Sequence, residues 1–222
     1  MKALGCVLLL CFGGLSCARI YRPVTLVAPP PVATQSQGLS GALTAQPWGD
    51  NSRYKERALR ANLRVVALSF ENRSSDEVEV LRLELPEGVE ALTPEAALKL
   101  VRQHTLAYLL YPILPTLLTL GAAPAEPGAF ISNRMIFQAF AVAGFLVGLP
   151  NALVAANSNL RIGTFFQEQA WSPGVLAPGQ ARRGLVFLRS PDTRAPLQIR
   201  VITRSGAGER TLELTCPGST PL

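Results

Sequence analysis

Two long uncharged stretches lie in the middle of a chain that otherwise reads as β structure. From Thr105 to Ala125, and again from Met135 to Leu160, no Asp, Glu, Lys or Arg occurs. Each stretch could supply the ~20 apolar residues that a spanning helix needs. The β-patterned segments fall before and after them, so any sheet must be assembled from two halves distant in sequence. A helix start precedes the first stretch. Thr93 is a capping residue, Pro94 takes the first helical position, and Glu95 lies near the positive end of the helix dipole. Pro112, Pro115 and Pro150 are awkward in a soluble helix but tolerated in a bilayer. Gly144 and Gly148 form a GxxxG pair, which lets two helix backbones approach closely. These features predict an inserted hydrophobic helical hairpin over 93–160, associated with a membrane. The alternative is a buried helical pair packed on the sheet, which suits Gln138, Asn151 and Asn157 better. Arg134 follows the positive-inside tendency for a spanning hairpin, whereas Lys99 and Arg102 fall on the wrong side.

The flanking segments carry period-2 patterns. Leu63, Val65 and Ala67 alternate with Arg64, Val66 and Leu68, so both faces of this strand are apolar. A polar turn over 71–76 leads to a second strand over 77–85. There the apolar phase slips from Val78 and Val80 to Leu81, Leu83 and Leu85, as at a β-bulge. The two runs are expected to form an antiparallel hairpin. Strands are also expected at 161–166, 184–189, 197–203 and 210–216. Ser205-Gly206-Ala207-Gly208 is a hairpin turn, and Pro173-Gly174 and Pro178-Gly179 mark further turns. A short strand at 20–27 is weakened by Pro23. This many short strands with Gly/Pro turns predicts a mainly β fold with an α insertion, an antiparallel β-sandwich interrupted by the helical hairpin.

The N-terminus has the layout of a secretory signal peptide: Met1, Lys2, an apolar run from Ala3 to Leu15, then Ser16 and Cys17. The run is too short, at about 13 residues, to span a bilayer. Gly14-Leu15-Ser16-Cys17 resembles the lipobox of bacterial lipoproteins, in which the cysteine is lipidated and becomes the new N-terminus. The family prefers Leu three residues before the Cys, where this chain has Gly14. An ordinary signal peptide cut near Ala18 is the alternative. Leu176-Ala177-Pro178-Gly179, then Gly184-Leu185-Val186-Phe187-Leu188, and the run from Val65 to Asn72 resemble strands of the immunoglobulin-like domains of bacterial envelope lipoproteins. That resemblance implies an Ig-like sandwich and leaves function open.

The expected organisation is therefore a signal peptide at 1–16, a lipidated Cys17 with a flexible Pro-rich tether over 17–50, β-sandwich halves at 51–92 and 161–222, and the insertion at 93–160. Residues 18–50 include Pro29-Pro30-Pro31 and are rich in Ala, Gln, Gly and Ser, a linker composition.

Chemistry is sparse. The formal charge is +6, of which Lys2 is one, and the basic residues are spread out: Arg53, Lys55, Arg57, Arg60 and Arg64 in one stretch, Arg182 and Arg183 in another. A nucleic-acid surface would cluster them with aromatics. A mild excess suits a solvated surface or anionic lipid headgroups. With Cys6 and Cys11 in the leader and Cys17 lipidated, Cys216 stands alone, a small hydrophobe on the last strand. The single histidine, His104, has no Cys or acid at helical spacing, so no catalytic or metal site is expected and no cofactor is implied. Asn72-Arg73-Ser74 matches a glycosylation sequon but also makes a good turn. The reading is a lipid-anchored protein of the bacterial cell envelope with a non-catalytic binding or assembly role. Its β domain is expected in the periplasm, with the inner or outer membrane left open. Its partners would be membrane lipid, through Cys17 (a palmitate-type anchor) and the hairpin, and a further protein or a second copy. The alternative is a membrane-complex subunit of a transport or secretion apparatus, with Gly144 and Gly148 as helix-packing residues.

Overall fold

A computed structural model describes residues 18–28, 34–36, 38–109, 127–193, 195–206 and 208–217. The chain divides into two compact units. The first contains the described residues up to Ile20 and within Gln103–Asn159; the second contains those of Tyr21–Arg102 and from Leu160 onward.

The second unit is mainly β. One antiparallel sheet has the order β1-β2-β3-β7-β5, with β1 Thr34–Ser36, β2 Leu39–Ala45, β3 Leu63–Asn72, β5 Glu90–Leu92 and β7 Ala181–Arg189. The other has the order β6-β4-β8-β9, with β4 Val78–Glu84, β6 Gly174–Leu176, β8 Leu197–Ser205 and β9 Gly208–Cys216. Their facing sides enclose one core that includes Val66, Leu68, Val80, Ile199, Leu214 and Cys216. The outer side of the five-stranded sheet carries a second core. There Val65, Ala67 and Phe187 meet Tyr54 and Ala58 of helix α1 (Ser52–Arg60), Ala97 and Val101 of α2 (Pro94–Val101), and Ile162 and Phe166.

β3 explains this layering. Its two apolar faces are both used, because it is hydrogen-bonded to β2 on one edge and β7 on the other and is covered above and below. The start of α2 follows the sequence rules: the Thr93 side chain accepts a hydrogen bond from the Ala96 N–H at 3.2 Å, and Pro94 opens the helix. The phase slip in β4 is an irregularity in its pairing with β8 between Val80 and Arg82. Its consequence is that Leu83 and Leu85 pack on the same core as Val78 and Val80. The β8–β9 hairpin pairs Leu197 with Cys216 through to Ser205 with Gly208.

Several expectations are corrected. The tether predicted over 17–50 contains β1 and β2, and Leu39 through Leu43 are buried. The small residues that resembled a linker are close packing instead: a Cβ on Gly41 would lie 2.7 Å from the Leu212 side chain and 3.2 Å from the Phe70 ring. The β3–β4 hairpin is absent. β4 lies in the opposite sheet, because both edges of β3 are taken by β2 and β7. Residues 161–166 form helix rather than strand, with Ile162 and Phe166 four apart on one buried face and Gly163 against Leu98. Residues 52–60, inside the predicted β half 51–92, form α1. No strand forms over 20–27. Arg64 is buried rather than part of a basic surface; its guanidinium donates to the Ala195 carbonyl at 2.6 Å and the Pro217 carbonyl at 3.2 Å.

In the first unit, α3 (Thr105–Leu109) and α4 (Pro127–Gln169) are the helices among the described residues, and α4 contributes to this unit as far as Asn159. Pro150 lies within α4 and does not end it. Residues 110–126, most of the first uncharged stretch, lie outside the described residues. Among the described residues no helix is long and apolar enough to cross a membrane, so the expectation of transmembrane helices finds no support there.

Candidate functional site

The distinctive construction of this protein surrounds the residues that directly follow Cys17. A segment outside any sheet still has backbone N–H and C=O groups to satisfy. Here side-chain amides supply the partners, since Asn and Gln carry one donor group and one acceptor, as a peptide unit does.

In the first unit, the Ala18 N–H donates to Asn151 Oδ1 at 2.9 Å. The Arg19 N–H donates to Gln103 Oε1 at 3.3 Å, and Gln103 Nε2 donates back to the Arg19 carbonyl at 2.7 Å. Gln103 is itself held the same way. Its N–H donates to Asn159 Oδ1 at 2.7 Å and its carbonyl accepts from Asn159 Nδ2 at 2.8 Å. The Tyr108 hydroxyl adds a hydrogen bond to Gln103 Oε1 at 3.3 Å. Ala18 also packs on a small apolar cluster of Tyr108, Ala152 and Ala155.

In the second unit, the Arg22 N–H donates to Asn51 Oδ1 at 2.8 Å, and Asn51 Nδ2 donates to the carbonyls of Arg22 and Trp48, each at 2.8 Å. Gln46 Oε1 accepts from the Val27 N–H at 3.2 Å, and its Nε2 donates to the Thr25 carbonyl at 3.0 Å. Gln46, Asn51 and Gln103 are all buried. Tyr21, between the clamped Arg19 and Arg22 in sequence, is buried and stands edge-on to Tyr54 with ring centroids 5.6 Å apart. Burial pushes its phenol pKa up from 10.0 to about 12.

Sequence reasoning missed this device. Its one visible signal was the presence of amides where apolar residues were expected, Asn151 within the uncharged stretch above all.

Cys17 and residues 1–16, where a leader is expected, lie outside the described residues. Gly144 and Gly148 are both in α4; Gly148 is buried, and with Ala152 and Ala155 it follows the i, i+4, i+7 spacing of one helix face. The side-chain surroundings of Gly144 lie outside the described residues. His104 is exposed, and Cys216 is buried in the sandwich core. Among the described residues no group of three or more His, Cys, Asp or Glu could hold a metal ion. The strand acids form exposed pairs, Arg200 with Glu213 at 2.9 Å and Arg204 with Glu79 at 3.9 Å. Such pairs contribute about 0–1 kcal/mol each. Asn72 of the sequon is fully buried and its amide is occupied within the fold, as described below.

No protein-family model matches the chain, and no curated protein matches it. Among solved structures, the Vibrio cholerae VesB protease is similar at 9% identity and a TM-score of 0.30, over 82% of this chain and 32% of that one. The chain thus spans about a third of that structure's length, and a likeness of this size carries no argument about fold or chemistry.

Proposed function

We propose that this protein is a lipid-anchored component of the bacterial cell envelope, attached through Cys17, with a non-catalytic binding or assembly role. The observation that carries the reading is the pairing of an apolar leader ending in Cys17 with a chain whose backbone is bonded into the fold from Ala18 onward. A domain built this way is held close to its anchor rather than at the end of a long tether. The β unit is an Ig-like sandwich in this reading. Its order supports that: β2-β3-β7-β5 and β4-β8-β9 correspond to the A-B-E-D and C-F-G sheets of an immunoglobulin domain. The helical insertion falls between β5 and β6.

The test is to replace Cys17 with Ser in the producing bacterium and follow radiolabelled palmitate and membrane fractionation. The natural chain should take up label and sediment with membranes, and Cys17→Ser should do neither. Unchanged labelling of Cys17→Ser sinks the anchor.

A further inference from the structure

We infer that the helical cover of the five-stranded sheet docks on the anionic headgroups of the bilayer that holds Cys17. The inference deepens the reading above and rests on it. The cover comprises residues 21–27, 46–60, 93–102 and 160–169, which enclose the second core with the outer side of that sheet. It carries eight Arg and Lys against four Asp and Glu. The other described residues of the same unit, in the two sheets and their connections, carry nine against ten. The positive excess of the unit therefore lies wholly in the cover. Positions 22, 53–60, 99–102 and 161 are scattered along the sequence, and the fold gathers them on one side of the sheet.

Charge and position together select lipid headgroups as the occupant. Asp50 is paired with Arg22 at 2.7 Å, and Glu56 lies 4.0 Å from Arg60. That leaves Arg53, Lys55, Arg57, Lys99, Arg102 and Arg161 against Glu95 and Glu168. The Arg57 guanidinium donates to the Arg102 carbonyl, which joins the basic end of α1 to that of α2. Each Lys or Arg within a Debye length, about 8 Å, of an anionic bilayer surface strengthens binding about fivefold. Tyr21, buried in the core of the cover, is four residues from Cys17, so at most about 14 Å of chain separates the two. The four-stranded sheet lies on the far side of the sandwich, about 10 Å beyond the five-stranded one. Its charges are balanced across strands: Arg204 sits between Glu79 and Glu209, and Arg200 between Glu84 and Glu213. In the cover, Tyr21, Tyr54 and Phe166 are buried, and Trp48 and Phe165 pack against the same core. The surface thus offers cations without the stacking platforms of a nucleic-acid site.

The chain is purified from its producing bacterium and reconstituted into vesicles of phosphatidylcholine, alone or with phosphatidylglycerol, each with a headgroup-attached quencher. A fluorophore is placed at Leu59→Cys on α1, where the side chain is exposed, and as a control at Thr211→Cys on β9. Cys216 is buried and so not labelled. With phosphatidylglycerol we expect quenching at Leu59→Cys, reversed by about 0.5 M salt, and none at Thr211→Cys. Lys55→Gln, Arg60→Gln and Lys99→Gln together should lower the ratio of docked to undocked chain about a hundredfold. Arg82→Gln, Arg200→Gln and Arg204→Gln together remove the same charge from the other sheet and should leave that ratio unchanged. A vesicle-bound chain whose Leu59→Cys probe is unquenched, or quenched equally on neutral and anionic vesicles, overturns the docking surface. So does an equal loss in the two triple variants. Tighter salt-sensitive binding to single-stranded DNA than to the anionic vesicles also overturns it, in favour of a nucleic-acid partner. The two readings fail separately. Absence of acyl label on Cys17 removes the anchor alone, while quenching that needs phosphatidylglycerol and the three cover cations sustains the surface with or without that label.

Discussion

Asn72 and Leu176, 104 residues apart and both fully buried, are joined by a 2.9 Å hydrogen bond from the Asn72 side-chain amide to the Leu176 carbonyl. The same amide donates to the Asp76 carbonyl at 2.8 Å, and Asn72 Oδ1 accepts from the N–H and hydroxyl of Ser74. The backbone of Asn72 pairs with Gln180 and Gly179. One residue therefore closes the corner where the chain leaves the five-stranded sheet, and fastens it to the end of β6 in the other.

Removing this amide takes a hydrogen-bond donor from the buried Leu176 carbonyl. Asn72→Ala should lower stability by about 3 kcal/mol, since each buried polar group left unpaired costs about 1–3 kcal/mol. Urea unfolding should show a lower midpoint with an unchanged slope. A midpoint within error of the natural chain would show that water or a rearranged turn replaces the bonds.

The amide clamp on Arg19 makes a kinetic prediction. Gln103→Ala removes both hydrogen bonds to the Arg19 backbone and one hydrogen bond of the Tyr108 hydroxyl. Loss of about 1.4 kcal/mol in local opening free energy raises the open population tenfold. Tryptic cleavage after Arg19 should accelerate by about that factor, while cleavage at the exposed Arg204 of β8 should not change. Equal rates at Arg19 in the two chains would mean that the clamp does not hold the segment.

Tyr21 sets an alkaline limit. Its phenol pKa rises from 10.0 to about 12 on folding because burial disfavours the phenolate. The folded state thus holds the proton more tightly. The stability tied to the neutral phenol is complete below pH 10, and is lost as pH rises from about 10 towards 12. The loss is about 2 kcal/mol across that window. Tyr21→Phe should flatten this part of the stability profile without altering it near neutrality. A natural chain as stable at pH 12 as at pH 9 would contradict the assignment.

The parts of the fold that were readable from residues alone depend on near-neighbour rules. The Thr93-Pro94 helix start, the slip in β4, the alternation of Leu197, Ile199 and Val201 and the turn before β9 all follow from local sterics and period-2 burial. The amide clamps were not readable. Gln46, Asn51 and Gln103 are ordinary polar residues by composition, and only the approach of residues 19–27 makes them partners. Segment 161–166 shows the opposite limit. Its short apolar run fits a strand as well as a helix, and the packing of Ile162 and Phe166 beneath the sheet decides the matter.

By itself, the sequence determined the apolar N-terminal run that ends at Cys17 and the two apolar faces of β3, because these are properties of residue type and spacing. Only the tertiary structure decided that β3 and β4 part into different sheets, that Ser40-Gly41-Ala42 is core rather than linker, and that the chain is pinned from Ala18 onward. Those outcomes turn on which distant groups meet: a hydrogen-bond donor or an absent Cβ has no meaning until its partner, in another part of the chain, is brought within reach.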